Sequence, residues 1–192
     1  MKARNKILAA FILVLMMYQV NAQKTGLDVG DKVTNFEATA DNGKTWKSKK
    51  FIGKKNLVVY FYPAAMTGGC TKQACAYRDA MDDLSSVDAE VVGVSGDEVK
   101  NLELFKQAHN LNFTLLSDPD GAIAQIFGVP VNEGRRSIER EVEGKFYTLA
   151  RDLTTSRWTF IVDKQGRVIY KSTDVNAAED SKAVLEVLKK SR

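Results

Sequence analysis

Cys70 and Cys75 are the two cysteines of a 192-residue chain, and the first directly follows Thr67-Gly68-Gly69. The run LVVYFYP just upstream, from Leu57, is aromatic and β-branched, as a buried strand is; downstream, Ala74, Tyr77, Met81 and Leu84 recur at helical spacing. Cys70 therefore falls in the first turn of a helix, where free backbone N–H groups and the positive end of the helix dipole favour an anion. A thiol with a pKa of about 8.5 is only about 3% thiolate at neutral pH, whereas one lowered to about 6 is roughly 90% thiolate, and only the thiolate attacks.

Cys75 lies about 140° round the same helix, and helix geometry separates the two Cα atoms by roughly 8.6 Å. A disulfide needs them within about 7 Å, so the bond forms only if the first turns unwind. As a structural staple the pair gains little: a ring this small contributes about 2 kcal/mol, much of which the lost helical turn cancels. The spacing favours a switch, reduced when folded and oxidised when locally unfolded, over a staple or two simply buried thiols.

The helix over 70–84 is followed by Glu90 to Ser95 (EVVGVS), a second buried strand, and by a helix in EVKNLELFKQAH whose Val99, Leu102, Phe105 and Ala108 make one stripe. Strand, helix, strand, helix is the signature of parallel βαβ units. Phe113 to Leu116 reads as a short strand, and Ser117 to Gly121 (SDPDG) as a turn before a short helix ending near Phe127. RWTFIVD from Arg157, the turn Lys164-Gln165-Gly166 and RVIYK from Arg167 read as a hairpin; Ala177 to Lys190 reads as the closing helix, with Val184, Leu185 and Leu188 inward. Pro130 to Thr155 has no clean period and many charges, which fits either a long active-site loop or a strand pair. With no internal repeat or interdomain linker, one domain is expected.

The N-terminus differs in composition. Lys2, Arg4 and Lys6 precede an apolar run from Ile7 to Met17, then Val20, Asn21 and Ala22. Eleven apolar residues are too few for a bilayer-spanning helix, which takes about 20, so residues 1–22 read as a secretory signal cut after Ala22, with 23–192 as the working domain, periplasmic or released. No cysteine lies near the cut to accept a lipid. Cleavage removes three basic side chains and no acidic one, taking the net charge from +4 to +1. A nearly neutral domain without a long Lys/Arg run gives no reason to expect nucleic acid or a membrane as partner.

The run Tyr60 to Cys70 (YFYPAAMTGGC) fits the pattern P-x-x-x-T-x-x-C and resembles the peroxiredoxins; its sequel CTKQACAYRD is similar to the peroxiredoxin Q, or bacterioferritin comigratory protein, subfamily, whose resolving cysteine lies five residues on. The likeness continues through VVGVSGD, LLSDPDG, the Phe127-Gly128-Val129 corner and RWTFIVDKQG to the last helix, spanning most of 27–190. The resemblance implies a thioredoxin-like α/β fold, a central mixed sheet flanked by helices, and an enzyme reducing hydrogen peroxide and organic hydroperoxides with no bound cofactor. It implies Cys70 as peroxidatic thiolate, Thr67 as the hydroxyl that positions the peroxide, Pro63 as a shield over the thiolate, Arg157 as its cation and Cys75 as the resolving thiol. A thioredoxin-like dithiol would reset the cycle, and a monomer is the expected state. Many members carry Pro where Gly68 stands and Glu where Gln73 stands, and the segment from Pro130 to Thr155 is longer than in short members.

Two rivals are weighed. A thiol-disulfide oxidoreductase of the same fold would carry C-x-x-C, whereas this chain has four residues between its cysteines. A non-catalytic domain would have a sluggish Cys70. Arg151, Arg135 and Arg136 are alternatives to Arg157 as the cation. His109, the single histidine, reads as a surface residue at a helix end, leaving no metal site in the reading. Trp46 and Trp158 read as packing residues, and GVSGDE lacks the Gly-Lys-Ser/Thr ending of a phosphate loop.

Overall fold

The computed structural model describes residues 26–191, so the signal expected at 1–22 lies outside the described residues. Among the described residues no helix is long and apolar enough to cross a membrane.

Strand β3 (Asn56–Phe61) explains the layering. Successive strand side chains point to opposite faces, and here both faces are apolar: Val58, Tyr60 and, just beyond the strand, Tyr62 enter one core, while Leu57, Val59 and Phe61 enter another. Beside β3 run β4 (Ala89–Ser95) and β5 (Thr114–Ser117), all three parallel. The seven-stranded sheet is completed by antiparallel strands: β8 (Thr159–Val162) and β9 (Val168–Ser172) on one side, β1 (Glu37–Ala40) and β2 (Thr45–Lys47) on the other, giving the order β2-β1-β5-β4-β3-β8-β9. The first core takes apolar side chains from α1 (Gly68–Asp79), α2 (Met81–Ser86), α3 (Val99–His109) and α5 (Asp180–Lys190); the second takes Ile123, Ala124 and Phe127 of α4 (Ala122–Phe127). The fold is therefore mixed α/β with helices on both faces of a mixed sheet, as expected.

Two elements depart from the sequence reading, and a third decides between the loop and the strand pair that it left open. The helix over 70–84 is two helices, broken at Ala80, whose ψ of 0° leaves the helical range; Tyr77 of α1 and Leu84 of α2 still enter the same core. The hairpin β1–β2 escaped notice because only Trp46, of its three β2 residues, is buried; Trp46 stacks on Phe51 at 5.1 Å and lies 5.6 Å from Phe36. The segment after Pro130 is a strand pair, β6 (Val131–Val142) and β7 (Lys145–Thr155), turned at Glu143-Gly144 with φ of 51° and 77°, as a two-residue type I′ turn requires.

The charges that hid this hairpin have a structural reason. Its inner face carries Ile138, Arg140 and Val142 on β6 opposite Leu149, Tyr147 and Lys145 on β7, with Arg151 further along. Leu149 and Val142 are buried in the first core, but Arg140 and Arg151 occupy positions where alternation calls for apolar residues. Both arginines reach the loop in front of Cys70.

Candidate active site

The chain leaves β3 at Tyr62, passes half-buried Pro63, and crosses Ala64 to Thr67 before α1 starts at Gly68. Met66 holds a left-handed φ of 64°, an uncommon conformation outside glycine that the surroundings must stabilise. They do so densely. Asp97, fully buried after β4, accepts the Ala65 N–H at 2.7 Å and the Arg151 Nε–H at 2.7 Å, and Arg151 Nη2 also donates to the Ala65 carbonyl at 3.4 Å. Ser95 and Asn101 donate to the same carboxylate at 3.0 and 3.3 Å. From the hairpin, Arg140 Nε donates to the Met66 carbonyl at 2.8 Å, and Thr155 Oγ1 donates to the Tyr62 carbonyl at 3.0 Å. The Thr67 hydroxyl donates to the Ala64 carbonyl at 2.9 Å, closing the loop on itself.

Cys70 sits in the first turn of α1, 1% exposed and outside any disulfide. Arg157, on the short connection between β7 and β8, brings Nη2 to 3.3 Å from Cys70 Sγ. Of the four arginines considered, the structure places Arg157 at the sulfur; Arg151 belongs to the loop clamp, and Arg135 pairs on the surface with Asp152. Gly69 makes room for this approach: a Cβ there would stand 3.3 Å from Arg157 Nη2. Cys75 is on the same intact helix, partly exposed and also a free thiol.

Behind Arg157 lies a network that the sequence did not reveal. Arg157 Nη1 donates to Gln73 Oε1 at 2.5 Å, and the fully buried Gln73 passes its own Nε2–H to Asp180 Oδ2 at 2.7 Å. Tyr77 and Thr159 hydroxyls donate to the same Oδ2, each at 2.8 Å. Burial pushes the Asp180 carboxyl up from its ordinary range, against the pull of these three donors and of Arg157. Burial likewise raises the Tyr77 and Tyr60 phenols well above their usual value, with Asp180 adding to the rise in Tyr77, and with Cys70 and then Asp180 adding in Tyr60. Tyr60 stacks on Tyr77 at 4.7 Å and its hydroxyl lies over Gly93, where a Cβ would come within 2.7 Å. Asp180 carried no signal because an acid in the first turn of a helix reads as a surface complement to the dipole.

The AhpC/TSA family model matches residues 29–171, most of the sheet and the whole site except Asp180. The chain belongs to the AhpC/TSA family. It is 34% identical over 163 residues to peroxiredoxin Bcp of Bacillus subtilis, covering 85% of this chain and 96% of that protein. Against the chloroplastic peroxiredoxin Q of Populus jackii the identity is 38% over 162 residues, 83% of this chain and 66% of that one. The crystal structure of peroxidoxin BcpB from Mycobacterium tuberculosis superposes with a TM-score of 0.72 at 30% identity, covering 86% of this chain and 99% of that chain. The fold is accordingly that of the thioredoxin-like peroxiredoxins, and the enzyme is a peroxiredoxin, a thiol-dependent peroxidase that uses a peroxide and a thiol reductant.

His109 makes no hydrogen bond to either cysteine among the described residues, and its backbone carbonyl accepts from Arg78 Nη1 at 2.7 Å. It closes α3, its ring edge-on to Phe105 at 5.4 Å, and burial together with Arg78 lowers its pKa. Among the described residues no group of three or more His, Cys, Asp or Glu is arranged to hold a metal ion.

Proposed function

We propose that the enzyme reduces hydroperoxides through Cys70 and resolves the product with Cys75. The observation that carries this reading is the 3.3 Å approach of Arg157 Nη2 to Cys70 Sγ in the first turn of α1. The Cys70 thiolate attacks one peroxide oxygen; the S–O bond forms as the O–O bond breaks, and the leaving alkoxide or hydroxide takes up a proton as alcohol or water. Arg157 and the N–H groups at the start of α1 supply charge-assisted donors as that oxygen gains charge. Because the Thr67 hydroxyl spends its hydrogen on Ala64, its oxygen is left to accept the O–H of the peroxide and orient it. Pro63, at the exit of β3, shields the sulfur from water.

The first turns of α1 then unwind and the Cys75 thiolate attacks the Cys70 sulfenic acid; the S–S bond forms as the S–O bond breaks, and the departing hydroxide takes up a proton as water. A thioredoxin-like dithiol reduces the disulfide and is itself oxidised. The five-residue spacing supports Cys75 in this role, since an intact helix keeps the two Cα atoms about 8.6 Å apart. We also infer, from the basic and apolar start of the chain, export with cleavage after Ala22 and, from the likeness to peroxiredoxin Q, action as a monomer; the N-terminal sequence and size of the protein recovered from cell fractions test both.

The decisive experiment mixes reduced protein with one equivalent of hydrogen peroxide in a stopped-flow instrument and maps the product by mass. Rapid loss of both thiols, with two hydrogen masses lost from a Cys70–Cys75 peptide, is the expected result. Oxidation no faster than that of a free cysteine overturns the reading. Cys70→Ser abolishes turnover, whereas Cys75→Ser keeps the first oxidation and strands Cys70 as sulfenic acid or a mixed disulfide; normal cycling by Cys75→Ser removes Cys75 from the mechanism.

A further inference from the structure

Gln73 stands between two groups of fixed hydrogen-bonding polarity. The Arg157 guanidinium can only donate, and an ionised carboxylate can only accept. Three donors converge on Asp180 Oδ2, from Gln73, Tyr77 and Thr159, which is the environment of an ionised oxygen. Facing such an oxygen, the Gln73 amide must turn its NH2 toward Asp180, and its carbonyl oxygen is then the end presented to Arg157. The reverse orientation sets NH2 against guanidinium and oxygen against oxygen, with two buried clashes of like polarity.

We propose that Asp180 is a positioning residue for peroxide reduction: its carboxylate fixes the orientation of the Gln73 amide and, through it, holds the Arg157 guanidinium over Cys70. The proposal rests on the reading of Arg157 as the cation of the reacting sulfur. One guanidinium nitrogen is tied to Gln73 and the other faces Cys70 Sγ at 3.3 Å, so turning the amide displaces the charge from the sulfur. The groups facing the carboxylate are Gln73 and Tyr77 from α1, Thr159 from β8 and the charge of Arg157; Tyr60 from β3 is within electrostatic reach. Asp180 is 3% exposed at the first turn of α5 and Gln73 is fully buried, so this end of the relay is shut off from solvent, while Arg157 is half-buried.

Asp180→Asn keeps the shape and removes the fixed polarity, because its amide can offer NH2 to Gln73 and let that side chain turn. The expected result is a second-order rate of Cys70 oxidation about tenfold lower, the usual scale for a partner one residue behind the reacting group. In the same variant the midpoint of thiolate formation, read by ultraviolet absorbance, moves to higher pH. The sign is diagnostic: deletion of a negative charge near the sulfur would by itself favour the thiolate and move the midpoint lower. Adding Q73E to D180N restores an acceptor-only group beside Arg157, with the introduced amide donating to it, and recovers both rate and midpoint; Q73L in the same background recovers neither. D180N with an unchanged rate, a midpoint moving to lower pH, or equal behaviour of the two double variants overturns the proposal. Arg157→Ala run alongside separates the failures: a slow R157A with an unchanged D180N removes Asp180 alone, whereas a normal R157A removes the Arg157 reading with it.

Discussion

Two buried Arg–Asp systems flank the Cys70 loop, and they are wired differently. Arg151 meets Asp97 directly, Nε to Oδ1 at 2.7 Å, with side chains 2% and 0% exposed, and both partners spend their remaining bonds on the loop backbone and its neighbours. Arg157 never touches Asp180: Gln73 intervenes, and one guanidinium nitrogen is left for the sulfur. A direct pair consumes the cation's charge in holding structure, whereas an interposed amide fixes the guanidinium and leaves its charge to act elsewhere. The first arrangement sets where the loop is, and the second sets what the sulfur experiences.

The comparison predicts opposite phenotypes. Arg157→Ala is expected to slow the first oxidation by about 10²–10³, the scale for deleting one preorganised donor at a developing charge, with a nearly unchanged Tm. Stopped-flow oxidation beside a thermal melt reads both quantities, and a normal rate with a collapsed Tm would reverse the assignment of the two arginines. Arg151→Met strands the Asp97 carboxylate in the interior and is expected to cost about 3–5 kcal/mol of stability, measured by denaturant unfolding. If Arg151→Met instead unfolds normally and only loses rate, Arg151 shares in the chemistry and the contrast fails. Arg140→Gln is a smaller perturbation: loss of the bond to the Met66 carbonyl is expected to cost about 1 kcal/mol and to speed the unwinding step, seen as faster disulfide formation after an unchanged first oxidation.

How much of this was legible in the sequence follows from how local each signal is. Pro63, Thr67, Cys70 and Cys75 lie within thirteen residues of one another, on a strand, a turn and a helix whose periods are clear, so the placing of the two cysteines could be read directly, while the roles of Pro63 and Thr67 came with the resemblance. Arg157 could be named only through the resemblance, since nothing local distinguishes it from Arg151. The hairpin was ambiguous because Arg140 and Arg151 sit on its inner face, and the period that marks a half-buried strand is lost when its inward positions carry charges that serve a distant loop. Asp180 was invisible: 107 residues separate it from Gln73, and its surroundings are made by α1 and β8 rather than by its own neighbours. Chemistry held in one strand–turn–helix is readable; polarity relayed between elements needs the fold.

The last and smallest test reads the response of Asp180 to pH. Burial raises the Asp180 carboxyl above its ordinary range, more than its hydrogen bonds and Arg157 lower it. The folded state therefore holds the Asp180 proton more tightly than the unfolded chain, so its contribution to stability is fully present below about pH 3.9 and is lost as pH rises through the folded value. Asp180→Asn does not titrate, so the stability of the natural protein relative to D180N should fall as pH rises above the unfolded value of about 3.9 and through the higher folded one. Chemical unfolding of both proteins across that range reads the difference. A gap that widens in favour of the natural protein as pH rises would mean that the folded state binds the Asp180 proton more weakly than the unfolded chain, and that Asp180 is held chiefly as a structural anion.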